Sequence, residues 1–145
     1  SVPFTAMKLG LQWEWREEEW EDYYYIGKTN IIDAAVLWER NSYIPDTYMC
    51  VSFQFQKHLS LGRGGIILLD NEDAYNSLMK MVYDGRDNSK RWAEQDISTM
   101  GYHYYMTPET AQLGLHKLED TKNSLPKLWT HSDYPYLPNM SVFKK

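Results

Sequence analysis

Ser52-Phe53-Gln54-Phe55-Gln56-Lys57-His58-Leu59-Ser60-Leu61-Gly62-Arg63-Gly64-Gly65, running into Ile66-Ile67-Leu68-Leu69, is the stretch that decides how this chain is read. Just upstream, Tyr48-Met49-Cys50-Val51-Ser52-Phe53 has the aromatic and apolar content of a buried strand. The apolar run at the other end predicts a second strand. Between them lies Lys57, followed by a turn in which Gly62, Gly64 and Gly65 allow tight turning or a close backbone approach. Two readings of Lys57 stand at this point. It is a surface lysine on a hairpin loop, or an amine desolvated enough to attack an aldehyde.

Working outward, Asn30-Ile31-Ile32-Asp33-Ala34-Ala35 predicts a short strand that ends in an acid and two small residues. An aspartate at the C-terminal end of a parallel strand lies where open α/β sheets gather ligand groups. Asp33 would equally serve as a cap for residues 34–40. After Leu69, Asp70 or Asn71 caps a helix with Glu72 and Asp73 in its first turn and Gly85 at its end. Its apolar face is Ala74, Leu78, Met81 and Val82. Residues 87–95 form a polar loop. Thr107, Pro108 and Glu109 then start another helix, with Ala111, Gly114, Leu115 and Leu118 on one face. The expected frame is α/β, a mixed sheet with packed helices: strands near 30–35, 48–53 and 66–70, helices near 71–84 and 107–121.

The flanks read less firmly. Pro3 to Leu9 suits a short strand closed by Gly10. Residues 13–26 suit a helix with Arg16, Trp20, Tyr23 and Tyr24 on one face and Gly27 at C′. That face is either a partner-binding surface or a stripe packed on the sheet. Residues 121–145 form an irregular tail broken by Pro126, Pro135 and Pro138, with Tyr134, Tyr136, Leu137 and Phe143 packing it back.

The 145 residues allow one domain. A net charge of −5 argues against nucleic acid, whose phosphates need a basic surface. Six Trp and 12 Tyr point to aromatic-rich packing or an interface. Cys50 is alone, so no intrachain disulfide forms. His116 and His131 lack metal-ligand spacing with any acid or cysteine, so no metal is assigned. With neither a membrane-length apolar run nor a signal-like start, a soluble cytoplasmic protein is expected.

The lysine stretch also resembles the DegT/DnrJ/EryC1/StrS sugar aminotransferases, whose pattern is Ser-Phe-x-x-x-Lys-x-Leu-x-x-Gly-Glu-Gly-Gly before an apolar strand. Ser52, Phe53, Lys57, Leu59, Gly62, Gly64 and Gly65 match in register; Arg63 stands in place of Glu. Residues 32–36 are similar to the family's Glu-Asp-Ala-Ala-Gln, with Ile32 and Val36 replacing its Glu and Gln. Tyr83-Asp84-Gly85-Arg86 resembles a family turn ending in Gly-Arg. Gly101-Tyr102-His103-Tyr104-Tyr105-Met106-Thr107 resembles Gly-Tyr-Asn-Tyr-Arg-Met-Thr, with His103 at the Asn.

The resemblance implies pyridoxal phosphate as cofactor, Lys57 as its Schiff-base residue and proton shuttle, and Asp33 against the pyridine nitrogen. It implies Ser52 on the phosphate, with His103 in place of an Asn that reaches a phosphate, often across a dimer interface. Lys at 57 favours transamination over the family's dehydratase branch, which has His there. The implied reaction moves an amino group from an amino acid, commonly glutamate, to a keto-sugar nucleotide. The resemblance spans residues 28–120, the middle of a fold-type-I large domain. That implies a partial domain working as a homodimer or with a complementary chain. The rival reading is a non-catalytic remnant, a split-enzyme half or an interaction module.

Overall fold

The computed structural model describes residues 1–144. In chain order it has α1 (Val2–Lys8), β1 (Tyr24–Tyr25), β2 (Ile31–Asp33), β3 (Tyr48–Ser52), β4 (Gly65–Leu68), α2 (Glu72–Val82) and α3 (Pro108–Thr121). Short 3-10 turns lie at Trp92–Glu94, His131–Asp133, Leu137–Asn139 and Ser141–Phe143. The strands form one sheet in the order β1-β2-β3-β4. The β1/β2 and β3/β4 pairs are antiparallel, while β2 and β3 run parallel, so the sheet is mixed.

Strand alternation gives the sheet two unlike faces. Ile32, Ala34, Met49, Val51 and Phe53 point to one side and, with Leu59, form the buried core. Asp33, Cys50 and Ser52 take the other side, and Asp33 lies beside Cys50 in the parallel register. Asn71 caps α2 by accepting the Ala74 N–H, and Thr107 caps α3 by accepting the Thr110 N–H. Both caps relieve backbone donors that the first turn leaves unpaired. Gly114 lets α3 approach the lysine loop, for a Cβ there would stand 3.1 Å from Leu61 Cδ1.

Two flanking expectations are overturned. Residues 2–8 are helical rather than extended, because Pro3 sits in the first turn with its φ already set and no strand lies alongside. Residues 13–26 are not a helix. Asp22 takes φ +58°, which no helix interior accommodates, and Tyr24–Tyr25 pair as β1. Gly27, at φ +58°, turns the β1–β2 hairpin instead of ending a helix, and the Ile26 N–H donates to the Ile31 carbonyl across it. The aromatic residues earlier in this segment pack on the tail: Phe143 lies between Phe4, Trp13 and Trp15 at centroid distances of 5.1–6.1 Å.

Candidate active site

Lys57 sits on the connection between β3 and β4. Backbone bonds from Phe53 to Gly64 and from Phe55 to Gly62 close the loop, with Gly62 at φ +89° and Gly64 at φ +96°. These values lie in the region glycine adopts freely, which is why the stretch is built of glycine. Two further ties fix the loop against the end of α3. Lys117 Nζ donates to the Ser60 carbonyl at 2.8 Å, and His58 Nε2 lies 2.9 Å from the Thr121 carbonyl. His58 therefore ties the loop to the end of α3 through Nε2.

A cavity of about 140 Å³ opens at this loop. Ser52, Lys57, His58, Val36, Trp38 and Trp129 are among its lining residues. Ser52 Oγ accepts the Gln54 N–H, which leaves its own proton to donate. Val36 supplies an apolar wall where an amide was expected, while Arg63 is exposed to solvent. Among the described residues, no group of three His, Cys, Asp or Glu side chains is placed to hold a metal.

Asp33 ends β2 on the polar face of the sheet. Its Oδ1 accepts the Ala35 N–H at 3.1 Å, so it closes a local turn, and its Oδ2 accepts the Tyr24 hydroxyl at 2.7 Å. Burial, then the Asp33 charge, raises the Tyr24 pKa far above the ordinary phenol value, so Tyr24 stays a donor. Burial first and Asp33 second also push the Cys50 thiol up, leaving it an unreactive neighbour.

His103 is elsewhere. It bridges to Tyr83 near the C-terminal end of α2, and its Nδ1 lies 2.9 Å from Asp84 Oδ2. Asp84 also pairs with Arg86, whose guanidinium lies between the Tyr83 and Trp92 rings at 4.7 and 4.6 Å. The bond from His103, then that from Arg86, holds the Asp84 carboxyl below its ordinary range. The structure thus brings Lys57 and Ser52 to one cavity, sets Asp33 on the neighbouring strand, and leaves His103 on a separate exposed cluster.

The sequence placed Trp20 and Tyr24 on a helix face and Tyr134 in the packed tail, but it did not pair them, or Trp129, with these residues. Lys57 Nζ donates to the Tyr134 hydroxyl at 3.2 Å and lies 5.1 Å from the Trp129 ring centroid. Trp20 packs at 5.4 Å from Tyr24 and 5.6 Å from Tyr134. The high aromatic content was the available signal, but a pairing such as Lys57 with Tyr134, 77 positions apart, leaves no local trace.

The model of the DegT/DnrJ/EryC1/StrS aminotransferase family matches residues 45–127. Ser52, Lys57 and His103 fall inside that span, while Asp33, Tyr24, Trp129 and Tyr134 fall outside it. Comparison with curated proteins and with solved structures gave no match. With more than half of its residues matched, and with the matched lysine loop lining the cavity, this chain belongs to the DegT/DnrJ/EryC1/StrS aminotransferase family.

Proposed function

We propose that the chain is the lysine-bearing part of a pyridoxal-phosphate-dependent sugar aminotransferase, from the large domain of fold type I. The supporting observation is the donor set: Lys57 and Ser52 line one cavity, and Asp33 stands on the adjoining strand on the same face as Ser52. An amine, a hydroxyl donor and a carboxylate are the groups needed for the aldehyde, phosphate and ring nitrogen of that cofactor. When bound, the cofactor supplies an electron sink for the carbanion formed in amino transfer.

The chain's own side chains supply the rest. Lys57 Nζ would hold the cofactor's aldehyde carbon and, as an amine, would be the group on this chain able to move a proton at the substrate. The Asp33 carboxylate keeps a proton on the ring nitrogen, and the Ser52 hydroxyl donates to the phosphate. His103 contributes from its exposed cluster to a neighbouring chain, with Asp84 fixing Nδ1 and so leaving Nε2 to reach outward. The substrates are a keto-sugar nucleotide and an amino acid, commonly glutamate, in the cytoplasm. Among the described residues, no helix is long and apolar enough to cross a membrane.

A partner belongs to the same reading. The chain exposes 11247 Å², against about 7,800 Å² for a compact monomer of its mass. The excess is on the scale of an obligate interface. The rival, a non-catalytic remnant, draws on Tyr24 and Tyr134 engaging Asp33 and Lys57. Borohydride reduction of the protein with pyridoxal phosphate, followed by peptide mapping, separates the two. Modification concentrated at Lys57 is expected; modification spread over other lysines, or none, refutes the enzyme reading.

A further inference from the structure

Lys57 and Asp33 are covered by one piece of structure made from both ends of the described chain. Residues 20–22 pair with residues 129–131. Glu21 and Thr130 form an antiparallel bridge, the Asp22 N–H donates to the Trp129 carbonyl at 3.0 Å, and the His131 N–H donates to the Trp20 carbonyl at 3.2 Å. From one side of this pair Tyr24 reaches Asp33, and from the other Tyr134 and Trp129 reach Lys57. Trp20 packs against both tyrosines. Outside the pair, Lys127 lies over Trp129 at 3.8 Å and bonds Asp133 at 2.9 Å, and the Tyr136 hydroxyl bonds Glu17.

We propose that segment 129–134, docked on segment 20–24, forms a self-occluding flap that occupies the Lys57 amine through the Tyr134 hydroxyl and must lift before a carbonyl compound reaches it. The inference rests on Lys57 being the reactive lysine. The anchors suit an opening motion. Segment 20–24 continues into β1 and is held by its pairing with β2, whereas segment 129–134 is attached to it by two backbone bonds and partly exposed aromatic contacts, the kind of attachment that opens at far lower free energy than a buried core. Lys57 meets the flap with its reactive atom: the nitrogen that would attack a carbonyl donates to Tyr134 and faces the Trp129 ring. Asp33 keeps lone pairs beyond those used by Tyr24 and Ala35, so it remains an acceptor with Tyr24 in place.

The test is reductive methylation of the full chain with formaldehyde and cyanoborohydride, with the rate at Lys57 read against exposed Lys28 by mass spectrometry. In the parent, Lys57 reacts more slowly than Lys28. In the double variant Trp129→Ala, Tyr134→Ala the ratio rises about five- to seventyfold, the factor expected for losing an exposed cation–π contact and a hydrogen bond. A second comparison guards against misfolding of that variant. With Cys50→Ser in the background, Glu21→Cys and Thr130→Cys place thiols across the antiparallel bridge. Oxidation then slows Lys57 relative to Lys28, and reduction restores the rate. A Lys57 ratio indifferent to the redox state of that pair overturns the flap. Methylation needs no cofactor, so a flap that passes while pyridoxal phosphate still fails to modify Lys57 in the opened protein refutes the aminotransferase reading alone.

Discussion

Gly65→Ala is a substitution whose sign the structure determines. Gly65 opens β4 opposite Ser52, and its φ lies outside the left-handed region, so alanine meets no backbone penalty there. On chain entropy alone the change would stabilise by about 0.4–1 kcal/mol, by narrowing the unfolded ensemble. Space reverses this. A Cβ at Gly65 would stand 2.4 Å from the Val51 carbonyl oxygen, 3.5 Å from its carbon and 3.6 Å from Ser52 Cα. All three are backbone atoms of β3, fixed by the β2 and β4 ladders on either side, and none can rotate aside. Relief requires β4 to shift away from β3 at the point where the Lys57 loop leaves the sheet, a rearrangement costing about 1–3 kcal/mol.

Gly114→Ala is the matched control. Its Cβ would meet only Leu61 Cδ1, at 3.1 Å, the end of a side chain that can move, while alanine gains about 1 kcal/mol of helix propensity. Urea titration followed by circular dichroism measures both. Gly65→Ala should lower the midpoint by about 1 M with the slope unchanged, given slopes of about 1–3 kcal/mol/M. Gly114→Ala should match or exceed the parent. A Gly65→Ala midpoint above the parent's would refute the close approach of β4 to β3 and the loop geometry built on it.

Asp33→Asn should keep the fold, since the amide oxygen still accepts from Ala35 and the NH2 can donate to the Tyr24 hydroxyl, while amino transfer falls by about 10²-fold or more, as for loss of one electrostatic partner. Equal activity in a coupled amino-transfer assay would reduce Asp33 to a turn former. Asp84→Asn tests the His103 cluster through pH. The Asp84 carboxyl is held below its ordinary range, so its contribution is present above about pH 4 and is lost as pH falls through the folded value. The variant should show a shallower loss of stability than the parent on acidification from about pH 5 to 3, and parallel curves would argue against the cluster. Mass measured in solution at several protein concentrations should show self-association, or binding of a complementary chain, because the chain exposes far more area than a compact monomer. A monomer that binds pyridoxal phosphate tightly and stoichiometrically would contradict that expectation.

What could be read from sequence follows the range of the interactions. The β3–loop–β4 unit, α2 and α3 carry their signals within a few residues: glycines at φ +89° and +96°, Asn71 and Thr107 as caps, Pro108 in a first turn. Each was placed within a residue or two. Residues 13–26 misled because Trp20, Tyr23 and Tyr24 fall at helical spacing by chance of composition. Their conformation is set instead by Asp22 at φ +58° and by a bridge from Glu21 to Thr130. The site divides in the same way. Lys57 and Ser52 share a cavity, as two members of one local motif should. The partners of Tyr24 and Tyr134, Asp33 and Lys57, went unread because they are set by contacts that no short window contains.

The two faces of the sheet impose separate requirements on any activity. On the apolar side, Met49, Val51 and Phe53 face α3 across an open groove of about 590 Å³ that also touches Ile66 and Leu115, both exposed. Covering that groove removes apolar surface from water and stabilises the domain. It does nothing directly for Asp33 or Ser52, which alternate to the opposite side. There the surface is already covered, by the chain's own aromatic residues. Covering the groove and uncovering Lys57 are therefore physically distinct steps, one satisfied by adding a surface and the other by removing one. A variant that assembles normally but leaves Lys57 unreactive has failed at the flap.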